Sequence, residues 1–242
     1  MTIRVRIRAI RTEAVGIKSF ELVCADGRAL PAFTAGSHID VHTGPGLIRP
    51  YFLCNSQDDC SRYVIAVEHE PNSRGGSRTL YERFRESDEL TISAPRNRFP
   101  LAKGTHHVLL AGGIGVTPIM SMARYLQSRG RSFELQYFAR STEHAAFLAE
   151  LQAPEFIGHL RLHVDLDPDP LEKILHELLR YWAPGHQLYH WGPVPFMHLV
   201  QLSAALYWPP AAVHCEYSVQ LAGRKKPSRA ASDSASFTFS IG

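Results

Sequence analysis

Gly113, Gly115 and Pro118, in the middle of the chain, have the types and spacing to hold a pyrophosphate. They follow a mostly apolar run, residues 107–111, that reads as a strand, and lead into a run, 118–129, that reads as a helix. Glycine lets the main chain turn sharply and lets a phosphate come close to it. The helix N-terminus then offers free N–H groups and the favourable end of its dipole. Pro118 suits the first helical turn, where a missing N–H costs nothing. The loop is not the ordinary dinucleotide fingerprint. Pro118 replaces its third glycine, and no acidic residue is clearly placed about twenty residues on at a strand end. Taken alone, a glycine-rich turn between strand and helix serves packing as well as it serves phosphate.

Other chemistries find less support. The chain has 13 histidines, but only His106 and His107 are adjacent and no pair has a metal-ligand spacing, so no metal site is expected. Four cysteines, Cys24, Cys54, Cys60 and Cys215, are too few and too far apart for a disulfide-stapled fold, and read as reduced thiols. Cys54 and Cys60 do not fit the plant-type iron–sulfur spacing. A net charge of +3 gives no case for nucleic acid. The Arg-rich start lacks the apolar stretch of a secretory signal, and no apolar run approaches the roughly 18 residues of a membrane span. The default expectation is a cytoplasmic protein.

The elements around the glycine loop fall into two groups. Its 242 residues, 45% hydrophobic and 20% charged, suit two domains. Residues 2–98 read as short strands (2–10, 19–24, 37–41, 63–68 and 89–93) broken by Gly and Pro turns, with one helix near 78–84. That pattern predicts a closed antiparallel β-barrel. From Lys103 onward strands and helices alternate. Strands are expected at 107–111, 133–139, 160–164, 187–190 and 212–216, and helices at 118–129, 145–151, 171–181 and 195–206. This half reads as α/β, a doubly wound parallel sheet with helices on both faces. Residues 223–235 read as a polar linker, and 236–241 alternate like one further strand.

Several segments, taken in order, resemble the phthalate dioxygenase reductase group, which includes vanillate demethylase reductases and belongs to the ferredoxin–NADP reductase superfamily. Arg49-Pro50-Tyr51-Phe52-Leu53-Cys54-Asn55 is similar to the group's R-x-Y-S-L-C-N flavin motif. Residues 70–78, EPNSRGGSR, resemble its flavin-phosphate motif, and residues 94–101, APRNRFPL, its end-of-barrel segment. Residues 111–120, AGGIGVTPIM, resemble its nicotinamide loop. Ala139-Arg140-Ser141 fits the turn after the second strand of the sheet, and Trp191-Gly192-Pro193 stands at its C-G-P position. Val213-His214-x-Glu216 fits the segment before the linker.

The resemblance implies a flavin-binding barrel over residues 1–102, a nicotinamide-binding domain over 103–222, and a linker with the first strand of a further domain over 223–242. It implies FMN and NADH as cofactors, with NADPH left open. Arg49 would pair with the flavin phosphate, and Tyr51 would lie against the isoalloxazine. Gly75, Gly76 and Ser77 precede a short helix, so their N–H groups and the Ser77 hydroxyl suit the FMN phosphate better than FAD, with Arg74 and Arg78 adding charge. Pro50, Leu53, Val67 and Glu68 join the flavin set. Gly113, Gly115, Gly192 and Pro193 would line the nicotinamide side, and Arg140 and Ser141 would hold the adenine ribose. Thr117 suits either a nicotinamide contact or a helix cap. Glu216 suits either the flavin edge or a surface strand end.

Three departures bear on the chemistry at Phe52, Thr117, Trp191 and Glu216, the residues the resemblance puts at the reacting centre. Phe52 replaces a serine that bonds the flavin near N5, and phenylalanine cannot supply that bond. Trp191 replaces the cysteine of C-G-P, and its indole would either obstruct the nicotinamide or stack on it. No cysteine follows Cys215, so the thiolates of the group's [2Fe–2S] cluster are absent from this chain. The implied activity passes electrons from nicotinamide through FMN to a separate ferredoxin or oxygenase component. The alternative is a flavin-reductase scaffold turned to another ligand or chemistry.

Overall fold

A computed structural model describes residues 2–44, 46–70 and 76–216. The expected linker and strand over 223–242, together with Arg74 and Gly75, lie outside the described residues.

The first half is built of β1 (Thr2–Ala14), β2 (Ile17–Cys24), β3 (Ser37–Gly44), β4 (Leu47–Phe52), β5 (Tyr63–Glu68), helix α1 (Gly76–Arg83), β6 (Glu89–Ser93) and β7 (Arg96–Asn97). The strands pair antiparallel in the order β4-β3-β6-β1-β2-β5, with β7 on β3. An antiparallel bridge from Leu53 to Ile65 joins the two ends of this path and closes the barrel. Alternation along β1 is the period-2 signal made physical. Val5 and Ile7 are buried in the barrel core, while Arg4, Arg6 and Arg8 face outward. A bulge between Ile7 and Ala9 then shifts the register, so the alternation does not run on to Ala9. Leu80 of α1 plugs the core formed by Phe20, Leu22, Ile39, Ile65 and Ile92.

β4 is the strand that the sequence pattern passes over. Pro50 sits inside it, and proline cannot donate to a ladder. Among the described residues the only strand ladder of β4 is with β3, where Pro50 lies opposite Asp40, so the missing N–H breaks little.

The second half is a parallel sheet in the order β10-β9-β8-β11-β12. Its strands are β8 (His106–Gly112), β9 (Phe133–Ala139), β10 (Leu160–Val164), β11 (His186–Trp191) and β12 (Val213–His214). Its helices are α2 (Val116–Ser128), α3 (Leu148–Leu151), α4 (Pro168–Leu179) and α5 (Val194–Ala204). Alternate residues of β8 serve opposite faces. Leu109 and Ala111 pack with Ile119, Met122 and Ala123 of α2, whereas Val108 and Leu110 pack with Leu175 of α4 and Val200 of α5. The sheet is therefore doubly wound, as its pattern predicts.

Two elements are shorter than expected. The helix anticipated over 145–151 is only α3, because Phe147 adopts a left-handed conformation (φ 59°) that no regular helix continues through. The strand anticipated over 212–216 is only β12, preceded by a 3-10 turn at Pro210–Ala212.

The two sheets share one apolar cluster. Ala35, Cys54, Ala66 and Phe99 from the barrel half pack with Val116, Ile119 and Met122 of α2. The Val15 amide also donates to the Glu143 carbonyl across the junction, at 2.8 Å. The four cysteines are free thiols. Among the described residues no helix is long and apolar enough to cross a membrane, and no cluster of three or more His, Cys, Asp or Glu could hold a metal.

Candidate active site

The chain leaves β8 towards β9 and β10 on one side, then returns to β11 and β12 on the other. The strand order thus reverses between β8 and β11, and the crevice beyond their carboxyl ends is where open α/β sheets bind ligands. Its walls are Gly112–Gly115 on one side and Trp191–Pro193 on the other.

The glycines of these walls have different jobs. Gly113 has φ +53° with open space around it, so it provides the turn. Gly115 is needed for close packing: a Cβ there would lie 2.6 Å from the Trp191 carbonyl carbon and 2.7 Å from the Gly192 Cα. The space that the motif reserves for phosphate approach is at Gly115 filled by the opposite wall. A Cβ on Gly112 or on Gly192 would meet the Phe196 ring, at 2.8 and 2.9 Å, so both glycines make room for that ring where the walls meet. Phe196 escapes a sequence reading because nothing in one chain segment signals a ring shared by two distant glycines.

Thr117 is 4% exposed and its hydroxyl donates to the Ile114 carbonyl at 3.0 Å. The N-cap position of α2 is Gly115, with no side-chain cap bond, so Thr117 is not a helix cap. Pro118 occupies the first turn of α2 as expected.

Phe52, last in β4, and Trp191, last in β11, meet edge to face with ring centroids 5.3 Å apart. Both are half-buried. Phe52 is backed by His38 at 6.0 Å and Phe99 at 6.5 Å. Glu216 is half-buried with Oε2 enclosed and unpartnered. Burial pushes its carboxyl above the usual range, and Arg98 pulls it back in part.

Beside this crevice runs a cleft of about 320 Å³ that both halves of the chain line, with Val15, Ile17 and Glu68 from the barrel and Gly113, Arg140 and Phe196 from the sheet. Burial and then the neighbouring Glu70 raise the Glu68 carboxyl, against Arg140 and His144. Arg140 is exposed at the lip, and Ser141 Oγ pairs with His144 Nδ1 at 2.9 Å. His144 and His163 also line the cleft. Neither stands out among scattered histidines in the sequence.

At the barrel, the Arg49 stem lies over the first residue of α1. A Cβ on Gly76 would be 2.7 Å from Arg49 Cγ. Arg49 Nη1 donates to the Ile48 carbonyl at 2.9 Å, Ser77 is half-buried and Arg78 is exposed. Arg49, Ser77, Arg78 and the opening amides of α1 form a donor set that suits a phosphate, and glycine at 76 keeps the cradle open. The Tyr51 hydroxyl is buried without a partner, and burial raises its pKa. Pro50 is exposed. Leu53 and Val67 are fully buried in the barrel core, so only their main chains could face a ligand.

No protein-family model matches the chain. The chain is 45% identical over 217 residues to a vanillate O-demethylase oxidoreductase of Pseudomonas sp. (strain HR199 / DSM 7063), covering 89% of this chain and 68% of that one. A solved phthalate dioxygenase reductase, described as a modular structure for electron transfer from pyridine nucleotides to [2Fe–2S], superposes with a TM-score of 0.84 at 37% identity, covering 89% of this chain and 67% of that one. The chain belongs to the phthalate dioxygenase reductase family. Among the members of this family that it resembles is the reductase subunit of a tert-butanol monooxygenase / tert-amyl alcohol desaturase from Aquincola tertiaricarbonis, 41% identical over 90% of this chain and 64% of that one. The chain spans about two thirds of the length of these phthalate dioxygenase reductase relatives. Within the family's two-sheet frame, Phe52 and Trp191 come together from opposite sheets at the crevice.

Proposed function

We propose that this chain is an NADH-dependent flavin reductase module of an oxygenase or demethylase system. The observation that carries the reading is the crevice at the β8–β11 reversal, opening beside a cleft that both the barrel and the parallel sheet line. Residues 1–102 form the flavin-binding unit and 103–222 the nicotinamide-binding unit.

Arg49, Gly76, Ser77 and Arg78 hold the FMN phosphate, a set that Arg74 and Gly75 join by their place in the motif. Tyr51 flanks the flavin ring, with Pro50 and the main chain at Leu53 and Val67 beside it. Gly113 and the start of α2 take the pyrophosphate of the dinucleotide, with Gly115, Gly192 and Pro193 shaping the wall. Arg140 and Ser141 take the adenine ribose, and Thr117 faces the nicotinamide. FMN, when bound, turns a two-electron donor into one-electron steps. The shared apolar cluster keeps water from the seam. Glu216, whose carboxyl burial pushes above the usual range, faces the flavin edge. The electrons pass to a ferredoxin or oxygenase component.

A second reading is favoured by one observation, the Phe52–Trp191 contact, which occupies the seam and offers no hydrogen bond where the family has serine. Under it, the scaffold binds flavin or another ligand without reducing it. A visible spectrum of the purified protein separates the two. Flavin absorption bleached by NADH without oxygen supports the reductase. Flavin that NADH never bleaches supports the second reading, and protein that takes up no FMN defeats the reductase.

A further inference from the structure

Phe52 and Trp191 differ in how firmly they are held. Phe52 has rings behind it on two sides, His38 and Phe99, and Phe99 in turn packs on Tyr189 at 5.5 Å. It is the fixed partner. Gly115 and Gly192 lock the Trp191 main chain against the opposite wall, and its indole packs at the edge of the shared apolar cluster with Phe52 as its one ring contact among the described residues. The Trp191 side chain is half-buried, and Nε1 is enclosed with no hydrogen-bond partner among the described residues. Trp208 makes the contrast, since it is 4% exposed and its Nε1 donates to the Leu179 carbonyl at 2.9 Å. An indole that leaves its N–H unpaired pays a penalty comparable to the gain from one edge-to-face contact. The closed position of Trp191 therefore leaves a donor unmet, and a partner for Nε1 elsewhere would favour leaving it.

We propose that Trp191 is an aromatic gate. Closed on Phe52 it covers the seam between the two sheets, and the nicotinamide end of a dinucleotide enters by turning the indole aside. This rests on the reductase reading above and adds a binding cost that only the nicotinamide end feels. Neither Phe52 nor Trp191 lines the 320 Å³ cleft, so a ligand that fills the cleft alone leaves the gate shut.

The test compares ADP-ribose, which lacks nicotinamide, with NAD⁺, which cannot react, by calorimetry on the FMN-loaded protein. Trp191→Ala should bind NAD⁺ about tenfold more tightly than wild type, with ADP-ribose unchanged. Trp191→Phe keeps a ring against Phe52 and should fall between the two. Its ADP-ribose affinity also checks that the fold survives. Wild-type tryptophan emission should change with NAD⁺ but not with ADP-ribose, and the change should vanish in Trp191→Phe. NAD⁺ binding weakened in Trp191→Ala would overturn the gate and make the indole a stacking platform. Equal shifts for both ligands, or none, would also overturn it. Wild type that binds FMN but neither dinucleotide would overturn the reductase reading along with the gate.

Discussion

The main chain of Trp191 stands where a side chain at Gly115 would begin, 2.6 Å from the carbonyl carbon to an added Cβ. The obstacle is backbone from the opposite wall, which no rotamer change can move. Gly115→Ala should therefore destabilise the protein by about 3 kcal/mol, the upper end of overpacking costs. Gly113→Ala meets open space and carries only the left-handed φ, about 1 kcal/mol. Urea unfolding midpoints check the ranking, and equal costs would contradict the packing role assigned to Gly115.

Phe196 and Gly112 should be energetically coupled. The three atoms nearest a Cβ on Gly112 would all belong to the Phe196 ring, at 2.8, 3.0 and 3.1 Å, whereas one on Gly192 would meet both that ring at 2.9 Å and the Gly112 main chain at 3.0 Å. Phe196→Leu should relieve at least about 1 kcal/mol of the Gly112→Ala cost in a double-mutant cycle. It should relieve little of the Gly192→Ala cost. Unfolding of the four proteins in each cycle measures both terms.

Arg49 should matter to flavin affinity more than to stability. Its loss removes charge-assisted bonds to a phosphate, each about 1.5–3 kcal/mol, so Arg49→Ala should weaken FMN binding roughly ten- to hundredfold. Arg49→Lys should recover only part, because a point charge lacks the planar fork. Titration of FMN fluorescence reads both. An unchanged affinity in Arg49→Ala would remove Arg49 from the phosphate site.

His190 should make the fold acid-sensitive. It is fully buried on β11, neither ring nitrogen has a partner, and burial alone pushes its pKa down to about 4. The unfolded chain, with an ordinary histidine near 6.5, takes up a proton first as pH falls. Stability is thus lost between about pH 6.5 and 4 and is present in full above that window. The integrated effect is on the order of 3 kcal/mol. His190→Leu should be neutral or stabilising at pH 7 and should flatten the loss of melting temperature between pH 7 and 5. A variant that loses as much as wild type would assign the acid sensitivity elsewhere.

Much of the fold was legible because local periodicity controls it. Val5 and Ile7 alternate with arginines whatever the barrel does, and 107–111 is apolar because β8 is buried on both faces. β4 was illegible because Pro50 argues against a strand, and only its position at the end of the ladder path excuses it. The flavin-side and nicotinamide-side motifs could be read, but not which glycine turns and which one packs.

The glycine loop, the alternation of barrel and sheet, and the Gly-Gly-Ser-Arg run of residues 75–78 were determined by the sequence itself, through spacing and residue type within short windows. Only the tertiary structure decided that Gly115 faces backbone and that Phe52 and Trp191 touch. Those relationships join residues from elements far apart in the chain, and the tertiary packing of those elements sets their distances. No window along the chain contains that information.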